Sequence, residues 1–254
     1  TEMNRRYGAY LRDLTDAWQL LLNGQGSWGT KRYLKQRQFY DTYVRPYPEK
    51  DQRVFVIVSD AFRYEAAVEF HGKLVQEDRY QAEITPMLGV LPSYTQLGIA
   101  ALLPHKELTI PEKDTVYADG HSTLGTENRT KVLQAAHPES VAISAEEFME
   151  MNASDAGREF TKRYKVIYVF HNGIDKIGDD KMTEHKVFAA VEGEFLTLMG
   201  IIKHAANMNV TSMIVTADHG FLYQHNELGG TDFNDQEIHG DVQKLSRRFA
   251  IGRQ

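Results

Sequence analysis

The chain has 254 residues, 42% apolar and 25% charged, which suits a soluble globular protein with one large α/β domain, and no apolar run of about 18 residues or basic-then-apolar start marks a membrane span or secretory signal. With no cysteine, disulfides, thiolate metal sites, cysteine nucleophiles and a cysteine-derived formylglycine are excluded, and a reducing cytoplasm fits. The formal charge of −6 is uneven: residues 1–53 hold 10 Lys and Arg against 6 Asp and Glu, so the body is acidic, a poor general surface for nucleic acid and a good source of carboxylate ligands.

In residues 4–22, Tyr7, Tyr10, Leu11, Leu14, Trp18 and Leu21 recur every three or four positions, which predicts an amphipathic helix. "NGQGSWG" breaks it, and a second helical stretch is expected to end near "RPYPEKD". Residues 1–50 are thus read as a helical N-terminal segment. Its "KRYLKQRQFYDTYVRPYPEK" reads as a solvated arm, and its mix of Lys/Arg with tyrosines also suits nucleic acid. The chain starts inside a helix without an initiator methionine, as a fragment of something longer would.

From Val54 the pattern changes. "VFVIVSD" is a continuous β-branched run, as in a central parallel strand buried on both faces. "AFRYEAAVEFHGKLVQED" follows as a helix, with Phe62, Ala66, Phe70 and Leu74 every four residues. "AEITPML" is expected as a strand and "YTQLGIAALL" as a short helix. "TVYAD" and "VAIS" are weaker strands, and "KVIYVF" is a strong one. Thr183 to Asn207 reads as a long helix, and "TSMIVT" as the last clear strand. The alternation predicts an α/β fold, a mainly parallel sheet with helices on both faces, over residues 51–254.

Ligands of such sheets bind at the carboxyl ends of the strands. Three strong strands end in polar groups. The first ends in Asp60. "KVIYVF" leads into "HNGIDKIGDD", with His171, Asp175, Asp179 and Asp180. "SMIVTA" ends in Asp218 and His219. Parallel strands bring these groups to one edge. Carboxylates with imidazole and no thiolate suit zinc, or manganese or magnesium. Clustered carboxylates repel one another, and two divalent ions about 3.5–4 Å apart would offset that cost. In "GVLPSYTQLGIAALLP", Thr95 falls at a helix N-terminus, where anions are favoured. Two readings stand there: an N-cap at Ser93 or Thr95, or a metal-activated nucleophile.

The series Asp60, "LPSYTQLGIAALLP", "HNGIDKIGDD", "TADHG" resembles the PglZ domain, a branch of the alkaline phosphatase superfamily found in bacterial phage-exclusion systems. "SDAFRYEAA" and "YADGHSTLGTENR" strengthen the likeness, which covers roughly Val54 to Tyr223. The resemblance implies a metal site of Asp60, Thr95, Asp218 and His219, with Thr95 as nucleophile or nucleophile-like ligand. It implies a second ion on Asp175, with Asp179 in place of a usual histidine, and zinc in both sites, with manganese or magnesium as the alternatives. His225 and His239 are candidates by position for a further ligand, and the domain is expected to be truncated at its C-terminus. Arg129 and Asn128 would line the substrate pocket, with Arg129 clamping a phosphate oxygen, or else belong to a structural loop with an N-capping function. The implied activity is metal-dependent hydrolysis of phosphodiester or nucleotide substrates, in the cytoplasm and beside other phage-defence proteins. The alternative is a non-catalytic interaction module of a multi-subunit defence complex.

Overall fold

In the computed structural model, residues 2–26, 28–173, 187–221, 241–246 and 249–253 are described. In chain order the first elements are α1 (Glu2–Asn23), β1 (Leu34–Lys35), α2 (Pro46–Glu49), β2 (Val54–Ser59), α3 (Tyr64–Leu74) and β3 (Met87–Leu88). Next come α4 (Thr95–Leu102), β4 (Leu108–Glu112), β5 (Thr115–Ala118), β6 (His121–Ser122), α5 (Gly125–Ala136), β7 (Ser140–Ser144) and α6 (Ala145–Glu150). The last are α7 (Asp155–Arg163), β8 (Val166–His171), α8 (Val187–Asn207), β9 (Met213–Thr216), β10 (Asp241–Leu245) and β11 (Ala250–Arg253).

The main sheet has the order β7-β8-β2-β9, with every pairing parallel. All six residues of β2 are buried, as its unbroken β-branched run requires of a strand covered on both faces. Phe55 and Ile57 point into a core shared with α3, α6 and α8. Val54, Val56 and Val58 point the other way, onto α4 and α5. Helices therefore cover both faces, as expected.

Three local expectations need correction. Only Met87 and Leu88 of "AEITPML" form a strand, paired with Leu34 and Lys35 and not with the main sheet. Pro86 has no N–H to donate and interrupts the run. "TVYAD" joins a separate antiparallel sheet, β4-β5-β6. Its alternating burial matches a strand packed on one face. The second N-terminal helical stretch is broken into a 3₁₀ turn (Gln36–Gln38), a π turn (Tyr40–Val44) and the single turn of α2. Phe39, Tyr40 and Val44 of this stretch enter the core beside β2. α1 forms as the spacing predicts, but its apolar stripe (Tyr7, Tyr10, Leu14, Trp18 and Leu21) is exposed. None of the described helices is long and apolar enough to cross a membrane.

Candidate metal centre

Register brings the carboxylates together. In the β2–β9 pairing Val58 stands beside Thr216. Two residues further along each chain are Asp60 and Asp218, at the carboxyl edge of the sheet. Both are buried. Ala61 turns the chain after Asp60 with φ +63°, a left-handed conformation unfavourable for a residue with a Cβ. That turn aims the Ala61 N–H at Asp218 Oδ1, 3.1 Å away, and the His219 N–H donates to the same oxygen at 2.8 Å.

His219 sits at the centre of the group. Its Nδ1 is 2.9 Å from the Gly220 carbonyl oxygen. A carbonyl only accepts, so Nδ1 donates to it and Nε2 is the nitrogen turned toward the two aspartates. Nε2 lies 3.3 Å from Asp60 Oδ1 and 3.5 Å from Asp218 Oδ2. Ligand atoms of the three residues all fall within 4.8 Å of one another. Two carboxylates and an imidazole with its other nitrogen tied to a carbonyl fit a divalent ion with N/O ligands.

Thr95 joins them from the opposite layer. It is the first helical residue of α4; Tyr94 occupies the N-cap position without a side-chain cap bond. The Thr95 hydroxyl instead lies 3.1 Å from His219 Nε2. Gly98, one turn later, permits the approach. A Cβ there would stand 2.3 Å from the Asp218 carbonyl oxygen, so only glycine lets α4 pack this close to the strand end. Tyr94 stacks on Phe249 with ring centroids 4.8 Å apart, which sets the β10–β11 hairpin against the start of α4, and Lys244 of β10 pairs with Asp114 in the turn between β4 and β5.

The profile of the BREX system PglZ alkaline phosphatase-like domain matches residues 39–254. The chain belongs to the PglZ family. It is 37% identical over 246 residues to the alkaline phosphatase-like protein PglZ of Bacillus cereus (strain H3081.97), covering 95% of this chain and 28% of that protein. It is 39% identical over 254 residues to the alkaline phosphatase-like protein BrxZ of Escherichia coli O9:H4 (strain HS), covering 96% of this chain and 29% of that one. The PglZ segment seen here thus spans less than a third of the length of these relatives.

The PglZ-like stretch "YADGHSTLGTENR" delivers Arg129 to a buried position on α5. Its Nε donates to the Thr123 carbonyl at 3.0 Å, and its guanidinium carbon lies 4.3 Å from the Phe170 ring centroid. Burial lowers the guanidinium pKa, against the opposing charges of Asp218 and Asp60. The Asn128 side chain donates to the Leu124 carbonyl at 2.8 Å, in the first turn of α5. Asp175 and Asp179, with Asp180, His225 and His239, lie outside the described residues.

Two buried residues beside the candidate site escaped the sequence reading. Gln36, from the N-terminal stretch, donates to the carbonyls of Asp218 at 2.6 Å and Ala217 at 3.2 Å. Its Oε1 accepts from Val90 N–H at 3.0 Å. Glu194 on α8 accepts from His171 Nε2 at 2.9 Å and from Ser59 Oγ at 2.6 Å. Burial pulls the His171 pKa down, but the Glu194 bond and charge outweigh it and leave it raised. A glutamate in the apolar stripe of α8 was a signal available in the sequence. Gln36 gave none.

Proposed function

We propose that this PglZ domain is a metal-dependent phosphoric-ester hydrolase of a bacterial phage-defence system. The observation that carries the reading is the convergence of Thr95 Oγ1 with Asp60, Asp218 and His219 at one sheet edge. A divalent ion held there, zinc first and manganese or magnesium otherwise, would lower the pKa of the threonine hydroxyl and offset charge on phosphoryl oxygens. Asp175 and Asp179 are the proposed ligands of a second ion.

Thr95 is the proposed nucleophile, or else the hydroxyl that holds the nucleophilic centre in place. As nucleophile, its Oγ gives up its proton to solvent and bonds to phosphorus as the phosphorus–ester oxygen bond breaks, and the leaving oxygen takes a proton from solvent to depart as an alcohol. Water then hydrolyses the phosphothreonine and restores the hydroxyl. The unpaired N–H groups at the start of α4 favour the anionic group. Arg129, held by Thr123 and Phe170, would place its guanidinium against the phosphoryl oxygens, with Asn128 beside it. Phosphodiesters or nucleotides are the proposed substrates. The cytoplasm is the proposed site of action and other defence proteins the partners.

One observation favours a second reading, a non-catalytic interaction module. The exposed apolar stripe of α1 offers a docking face for a defence partner, and the basic residues 31–53 offer one for nucleic acid. Hydrolysis of bis-p-nitrophenyl phosphate with added zinc or manganese tests between the two. The hydrolase reading expects turnover that is lost in Thr95→Ala. Equal rates for both proteins contradict it, and metal-dependent stability with no turnover in the complete protein supports the module.

A further inference from the structure

We infer that Glu194 is a positioning residue for the metal centre, acting through Ser59 and His171. It lies in α8 among Val191, Phe195 and Leu198, which pack against the sheet, and is only 3% exposed. A carboxylate is costly there unless it is fully bonded. Both of its oxygens are: Ser59 donates to one and His171 to the other.

Ser59 and His171 are register partners at the carboxyl ends of β2 and β8. The residue after Ser59 is Asp60, whose N–H donates to the His171 carbonyl at 2.8 Å. One buried carboxylate therefore ties two strand ends together. On one strand it holds the residue before a candidate metal ligand. On the other it holds the residue that receives that ligand's amide. Gly173 encloses the arrangement, because a Cβ there would lie 2.4 Å from Glu194 Oε2 and 2.7 Å from His171 Nε2. The backbone passes directly over the pair as it leaves β8. An apolar side chain would fill this space without the desolvation cost. What the bonded carboxylate adds is a fixed geometry at the level of Asp60.

Hydrogen exchange on the metal-free chain tests the positioning directly. In Glu194→Ala the Asp60 amide should exchange at least about tenfold faster. The Val54 and Phe55 amides, bonded to the Lys165 and Ser212 carbonyls at the opposite end of β2, should keep their wild-type rates. Glu194→Gln can still accept from Ser59 and donate to a neutral imidazole, so its Asp60 amide should stay within about threefold of wild type. Ser59→Ala, which removes one bond beside Asp60, should show the same local effect if the alanine variant at 194 does not fold. Unchanged Asp60 exchange, or equal acceleration at Val54 and Phe55, would overturn the inference.

A manganese titration adds the functional arm, which rests on the proposed metal reading. Affinity should fall about tenfold or more in Glu194→Ala and recover most of the way in Glu194→Gln. Equal affinity in Glu194→Ala and wild type would overturn the claim that Glu194 serves the metal centre. Failure of the wild-type chain to bind manganese would contradict the hydrolase reading, and the exchange rates would still decide the positioning.

Discussion

The side-chain amide of Gln36 donates to the Asp218 carbonyl at 2.6 Å, across 182 positions of sequence. With the Val90 N–H bonded to its Oε1, this one side chain joins the N-terminal stretch, the chain leading to α4 and the end of β9. Gln36→Leu would keep the bulk and leave two strand-end carbonyls and the Val90 N–H without this partner. A loss of about 1–3 kcal/mol is expected, read as a fall of several degrees in Tm, with weaker zinc binding. Unchanged Tm and zinc affinity would count against a scaffolding role.

Glycine to alanine inside a helix ordinarily stabilises, by about 0.4–1 kcal/mol. At Gly98 the opposite sign is expected. The new methyl would meet the Asp218 carbonyl, which is backbone and has nowhere to go. Gly98→Ala should destabilise by about 1–3 kcal/mol and lower metal affinity. Gly72 on α3, where a Cβ meets nothing within 4 Å, is the control and should tolerate alanine.

Arg129 is held by its guanidinium lying over the Phe170 ring and by Nε, an atom lysine lacks. Arg129→Lys should therefore behave much like Arg129→Ala in steady-state kinetics on a phosphodiester. Both should lose about tenfold or more in kcat/KM. Full activity in the lysine variant would show that charge alone suffices.

Much of the centre could be read from the sequence because it lies where strong local patterns stop. The β-branched runs ending in Asp60, in His171 and in Asp218-His219 identify parallel strands, and parallel strands share an edge. Thr95 was placed by the apolar helix that follows it. What could not be read depends on contacts between distant segments. Gln36 sits in a stretch that breaks into 3₁₀ and π turns where a helix was expected, and nothing around it in the sequence points to the end of β9 that it reaches. The "TVYAD" strand was visible, but its own propensity does not say which sheet it joins. Gly98 looked like an ordinary small residue in an apolar helix until Asp218 stood against it.

Asp119 staples β5 to the chain before β4. Its carboxylate accepts from Glu107 N–H at 2.8 Å and Lys106 N–H at 3.0 Å. The Glu107 bond first, with the Lys106 bond, holds its pKa below the ordinary carboxylate value. A depressed folded pKa stabilises above the unfolded value, about 3.9, and the contribution disappears as pH falls through the folded value. Asp119→Asn should lower Tm at pH 7, and the gap from wild type should close below about pH 4. Calorimetry across that range checks it; a gap that persists at low pH would assign the loss to packing.

The central claim is that Asp60, Asp218 and His219 hold a metal ion beside Thr95. Anomalous scattering from a zinc-soaked crystal tests it most directly. The account predicts a peak about 2.0–2.2 Å from a carboxylate oxygen of each aspartate and from His219 Nε2. Zinc bound elsewhere in the crystal, with no peak among these three side chains, would contradict it.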